Sequence, residues 1–139
     1  MAKNDTSEWA LALLRIVLGV IFLYHGYLKL FVAGGFKATV GFFTTLGIPV
    51  PLYSALLVSV AEFAGGILLI VGVITRLASL VLIFEMLVAL FAVHIRNGFL
   101  VSKGGYEFVL LIIAGLVVVL NKGAGKLAWG KSFKSKSLQ

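Results

Sequence analysis

The stretch WALALLRIVLGVIFLYHGYLKLF, residues 9–31, decides the class of this protein. About 20 residues at helical rise cross the ~30 Å hydrocarbon core of a bilayer, and this run has the length and apolarity to do so. Three further runs follow at 52–74, 77–95 and 106–120. A chain of 139 residues, 61% hydrophobic and only 12% charged, has too little polar surface to conceal four such runs in water. The sequence therefore predicts an all-α fold, a four-helix transmembrane bundle. Arg15 interrupts the first run and no small-residue cleavage site follows it, so that run is expected to stay as a helix rather than leave as a signal peptide.

Charge supplies the orientation. The net charge of +7 raises the question of nucleic acid, but its distribution has a different origin. Lys3, Arg76, Lys122, Lys126, Lys131, Lys134 and Lys136 fall on one side of a four-span chain, and Lys37, Arg96 and Lys103 on the other. The positive-inside bias then places both termini in the cytoplasm of a multi-pass protein of the cell membrane. The expected partners are the lipid bilayer, with some affinity of the basic tail for anionic headgroups, and no nucleic acid. With no cysteine, the chain forms no disulfide and holds no Cys-ligated cluster.

Punctuation divides the chain. Asp5 to Ser7 offers caps for a first helix beginning near Trp9. Gly34-Gly35 opens, and Ile48-Pro49-Val50-Pro51 closes, a less apolar connector expected to end in an extended turn. Within it Phe36, Val40 and Phe43 recur at helical spacing, which predicts a short interfacial segment over 36–46, between helices 1 and 2. Thr75-Arg76 links spans 2 and 3 as a hairpin, and Asn97-Gly98 and Gly104-Gly105 mark turns before span 4. Residues 1–125 read as a single transmembrane domain and 126–139 as a basic, mobile cytoplasmic tail.

Ionisable side chains at membrane depth are costly and mark either internal pairs or function. Arg15, Gly19, Phe22, Gly26 and Lys29 form one stripe of span 1, with His25 beside it. Ala55, Ser59, Glu62 and Gly66 do the same on span 2, where small residues permit close helix approach. Glu107 opens span 4 on a face with Leu111, Ala114 and Val118. His25, Lys29, His94 and Glu107 are expected to converge in the outer half, with Glu62 deeper. On the bland reading Arg15, Glu62 and Glu107 are interhelical pairs and Lys29 reaches out to the headgroups. Span 3 contains a conflict: Glu85 and His94 differ by nine residues, about half a turn, so an unbroken helix cannot point both inward. An unbroken helix turns Glu85 with Ala89, Ala92 and Arg96 towards a second protomer, giving a homodimer; a break before His94 removes the conflict. No His-x-x-His or Glu-x-x-His spacing suggests a metal, and none is expected.

In order and spacing, several short motifs agree. They are Arg15-x-x-Leu18-Gly19, His25-Gly26-x-x-Lys29-Leu30, Phe42-Phe43-x-x-Leu46-Gly47-Ile48-Pro49-x-Pro51, Glu62-x-x-Gly65-Gly66, Thr75-Arg76, His94-x-x-Asn97-Gly98 and Gly104-Gly105-x-Glu107. Through them the chain resembles the DoxX family of small four-helix membrane proteins over about residues 10–125. The resemblance implies a link to membrane-associated oxidoreductase complexes, and to thiosulfate:quinone oxidoreduction through the related DoxD proteins. Glu85 lies outside the pattern.

Two readings of function follow. In the first, the chain is a membrane subunit of a quinone-type redox system, with a hydrophobic small molecule held in a polar pocket. His25, His94, Glu62 and Glu107 are then the catalytic, proton-exchanging groups, and Arg15, Lys29, Gly26 and Gly66 bind the ligand. A quinone would be the cofactor and a soluble redox partner the electron source, because the chain has no recognisable flavin, haem or iron–sulfur motif. Whether the chain is itself an enzyme is left open by the sequence. In the second, the same buried charges fix helix pairing in a non-catalytic scaffold or chaperone. A small-solute or proton transporter is a weaker third reading.

Overall fold

In the computed structural model, residues 2–129 are described, with the side chains of 2–4 excepted. Those residues are all-helical, in five α-helices: α1 (Ala2–Leu30), α2 (Gly35–Thr45), α3 (Pro51–Val71), α4 (Thr75–Ala89) and α5 (Glu107–Lys122). A π-helical turn, Leu90–His94, and a 3₁₀ turn, Ile95–Asn97, prolong α4. A second 3₁₀ turn, Val101–Lys103, lies in the connector to α5.

Three segments are long and apolar enough to cross a membrane: Asp5–Leu30, Pro51–Val71 and Thr75–Asn97. The fourth expected run forms α5, whose 16 residues span only about 24 Å at helical rise. Large apolar side chains cover the exterior, with Leu57 69%, Phe84 70% and Leu111 68% exposed. A surface of that kind belongs against lipid rather than water.

Glycine governs how closely α1 and α3 approach. A Cβ at Gly19 would stand 2.8 Å from the Gly66 carbonyl oxygen, one at Gly66 would run into the backbone of Leu23, and one at Gly26 into that of Phe63. These contacts run in opposite senses along the two helices, so α1 and α3 are antiparallel. Leu82 of α4 packs on Gly65, while Leu14 and Leu18 of α1 pack on Gly115 of α5. Helix contacts therefore pass from α1 to α3, α3 to α4, α4 to α5 and α5 back to α1, with α2 against α1 and α3. Leu18, Phe22, Leu69, Leu82, Ile112 and Leu116 fill the space between.

Four local expectations are revised. First, α1 begins at Ala2 rather than near Trp9, because Lys126 returns to its first turns: it pairs with Asp5, its Nζ lies 5.6 Å from the Trp9 ring centroid, and its N–H donates to the Glu8 carbonyl at 3.2 Å. Second, Val50 is not extended before Pro51; it sits in the left-handed region with φ 44° as α3 starts. Third, α5 buries Val109, Ile112, Gly115, Leu116 and Val119, whereas Leu111, Ala114 and Val118 of the Glu107 face are exposed. Fourth, the segment after α5 is docked through Ala128, with Gly123, Ala124 and Gly125 buried; residues 130–139 lie outside the described part.

A β-branched residue in the left-handed region costs about 1–2 kcal/mol that glycine does not incur. Val50, 65% exposed, loses little packing on truncation. Val50→Gly is thus expected to raise stability by about 1 kcal/mol, read as a higher unfolding midpoint in detergent. Gly26→Leu is expected to do the reverse and prevent the α1–α3 contact, read as loss of monodisperse folded protein.

Candidate functional site

The buried stripe of α1 meets the buried stripe of α3. Arg15, Gly19, Phe22 and Gly26 are buried on one helix, and Ala55, Ser59, Glu62 and Gly66 on the other. At the distal end of α1, the Lys29 ammonium forms an ion pair with Glu62 Oε2, with side chains 22% and 6% exposed. Lys29 therefore turns inward rather than towards the headgroups. Glu62 lies near the middle of α3, so the pair stands well inside the span.

Glu85 of α4 completes the cluster. Its carboxyl lies within electrostatic reach of both Glu62 and Lys29. The cluster thus gathers one ammonium and two carboxyl groups inside the helix packing. The Glu85 Oε2 atom is buried without a hydrogen-bond partner. This corrects the expectation that Glu85 faces away towards a second protomer.

The π-helical turn explains how α4 serves both ends of its span. One extra residue in the turn takes back about 100° of phase, leaving Glu85 and His94 about 80° apart instead of opposed. His94 Nδ1 donates to the Gly104 carbonyl at 2.7 Å, and Asn97 Nδ2 donates to the same oxygen at 3.2 Å. Glu107 Oε1 accepts the Val101 N–H of the same connector. Exposed His25, on the flank of α1, donates from Nδ1 to the Ile21 carbonyl at 2.9 Å.

Arg15 occupies the opposite end and is wholly buried. Nη1 donates to the carbonyls of Leu69 and Ile70, the latter at 3.0 Å, and Nη2 to those of Leu127 at 3.1 Å and Lys126 at 3.4 Å. The α3 end at Gly72 leaves the Leu69 and Ile70 carbonyls without helical donors, and a cation at that negative dipole end suits them. Arg15 is therefore a clamp between the α3 terminus and the segment 123–129.

The expected single cluster is in this way divided. Lys29 and Glu62 come together; Gly26 and Gly66 lie at the helix contact beside them; His94 and Glu107 brace the α4–α5 connector; His25 flanks α1; Arg15 stands apart. Glu85 is the member that sequence reasoning directed elsewhere, and its signal was the seven-residue spacing from Ala78, itself buried in the helix packing. Among the described residues no group of three His, Cys, Asp or Glu side chains is arranged to hold a metal ion.

A chain whose described residues are all-helical, with three long apolar helices and an ion pair packed between two of them, is a small polytopic membrane protein in contact with the lipid bilayer. The DoxX family model matches residues 10–95, and the chain belongs to the DoxX family. It is 28% identical over 109 residues to the protein named "Putative oxidoreductase CatD" of Bacillus subtilis, covering 78% of this chain and 77% of that one. An uncharacterized protein of Haemophilus influenzae is 35% identical over 134 residues, covering 91% and 92%. The inner membrane protein YphA of Escherichia coli is 34% identical over 74 residues, about half of each chain at 53% and 51%. No solved structure matches the chain.

Lysine has three donors on a single nitrogen and lacks the fork that lets arginine bridge two segments. Arg15→Lys is expected to lower stability by about 2 kcal/mol, as charge-assisted bonds are lost. Limited proteolysis should then cut within 123–129 faster than in the parent protein.

Proposed function

We propose that the chain is a membrane-embedded subunit of a redox-linked, quinone-type system, holding a hydrophobic small molecule beside the Lys29–Glu62 pair. The observation that carries this reading is the cluster of Lys29, Glu62 and Glu85 inside the helix packing. A purely structural pair needs no third carboxyl. Quinone reduction takes up electrons and protons in equal number. The carboxyls, with His94 at the connector, exchange the protons, and a soluble redox partner exchanges the electrons. The name of the Bacillus subtilis relative supports the redox class.

In the bilayer this reading makes α5 a fourth, short span, accommodated by local thinning of the membrane and by its packing on α1 and α4. Both termini are cytoplasmic, because Arg76, Lys122 and Lys126 gather at the end where α1 begins, against Lys37, Arg96 and Lys103 at the other. His25 and Glu107 join the proton exchange from the outer side, while Gly26 and Gly66 bring the helix backbones to the ligand's edge. A second reading, a scaffold for partner proteins, is favoured by Arg15, whose bonds all go to backbone carbonyls and serve packing.

The test is to purify the protein from membranes, extract it with organic solvent and identify retained quinone by mass spectrometry. Retention near one quinone per chain is expected. Glu62→Gln is expected to lower it about tenfold, the equivalent of one lost charge-assisted hydrogen bond. A folded, quinone-free parent protein would remove this reading and leave the scaffold.

A further inference from the structure

The residues that follow α5 fold back onto the end of the bundle where α1 begins. Gly125 packs on α1, where a Cβ would stand 2.9 Å from the Glu8 carbonyl oxygen, and Ala128 packs on Gly72, directly after the span Pro51–Val71. The segment is therefore seated at the depth where the hydrocarbon region ends and the headgroups begin. Arg15 holds it there through the Lys126 and Leu127 carbonyls.

Its side chains alternate. Lys126 and Ala128 are turned to the protein, with Lys126 paired to Asp5 and lying over Trp9, whereas Leu127 is 60% and Trp129 77% exposed. Leu127 takes up this arrangement from the left-handed region, at φ 57°, which a leucine adopts only at a cost. Two large apolar side chains are thus presented outwards by a segment that is itself fixed. The indole ring is apolar over its body and donates a hydrogen bond at one edge, which suits the layer between hydrocarbon and headgroups.

Charge decides which headgroups suit the surface. Lys122 is exposed beside the segment, and half-buried Arg76 donates from Nη2 to the neighbouring Asn121 carbonyl at 3.5 Å. Beyond Trp129 the sequence adds Lys131, Lys134 and Lys136 and no acidic side chain. The acidic residues at this end are Asp5 and Glu8, and Asp5 is already paired with Lys126. Cations therefore exceed anions around the exposed Leu127 and Trp129. An acidic soluble protein would match the charges but not the depth of the two apolar side chains.

We propose that Leu127 and Trp129, together with Lys122 and the lysines that follow, form a docking surface for anionic phospholipid headgroups. The two apolar side chains enter the bilayer surface and the ammonium groups lie among the phosphates. Arg15 is the positioning residue, since its bonds to the segment set the height at which Trp129 is held. This surface lies at the opposite end from the Lys29–Glu62 pair and is independent of the redox reading.

The test uses the full chain with Trp9→Phe, which leaves Trp129 as its only tryptophan and keeps an aromatic ring over Lys126. The protein is placed in phosphatidylcholine vesicles that carry increasing fractions of either phosphatidylglycerol or phosphatidylcholine brominated high on the acyl chain. Half-quenching of Trp129 fluorescence is expected at a mole fraction of the brominated phosphatidylglycerol at least about fivefold lower, the gain from one lysine near an anionic surface. High salt should shrink the difference. Replacing Lys122, Lys131, Lys134 and Lys136 together by Gln should erase it while Trp129 stays quenched by both lipids. The same comparison between the parent protein and Trp129→Phe reads the Trp129 signal without altering Trp9. Equal half-quenching by the two lipids overturns the anionic preference, and a preference that survives the loss of the four lysines overturns their role. A Trp129 quenched by acrylamide from the water and by neither lipid leaves this face to a soluble partner and overturns the proposal.

Discussion

The close contact of α1 with α3 sets everything else in this protein. In lipid there is no hydrophobic gain in bringing helices together, so association depends on backbone proximity and polar bonds. Gly19, Gly26 and Gly66 provide that proximity. The same register brings Lys29 to Glu62 at mid-span and Arg15 to the carbonyls that end α3. Small residues and charged residues are therefore parts of one device. The glycines allow the helices near enough for the charges to meet, and the charges fix the one register in which each is satisfied.

The two buried cations are used differently, and their chemistry explains why. Arginine's planar fork can hold several acceptors at once and keeps its charge, which suits a clamp between the α3 end and the segment after α5. Lysine is a point charge that balances one anion and leaves the geometry around that anion free. With Glu85 added, the Lys29 end carries one more carboxyl than the ion pair requires. A structural pair is complete without it. A third ionisable group placed in hydrocarbon must either be neutral or have a partner.

Much of this was legible in the chain. Apolar run length gave the helices, and the steps of three and four on α1 and α3 gave the buried stripes, including Lys29 and Glu62. Gly34-Gly35 and Pro51 marked real boundaries. What was hidden depended on tertiary partners. Nothing local announces that Lys126 will return to Asp5 and Trp9, because their separation in sequence carries no pattern. Val50 adopts a conformation that both its own branching and the following proline disfavour, so local preference pointed the wrong way there. The face of α5 was misread because Glu107 was assumed to point inward, whereas its carboxylate is taken by the Val101 N–H at the helix start.

The π-helical turn at Leu90–His94 is the clearest case of a feature that sequence phase could frame but not decide. Nine residues separate Glu85 from His94, and regular helix would place them on opposite sides. One of two things had to yield: the inward direction of one residue, or the regularity of the helix. The helix yielded. A π turn gives up good hydrogen-bond geometry and is kept where it aims side chains that a regular helix cannot. Here it lets the middle of the span bring Glu85 near Glu62 and Lys29 while its end presents His94 to the Gly104 carbonyl. The irregularity thus links the part of α4 that carries Glu85 to the α4–α5 connector, which His94 and Glu107 brace from either side.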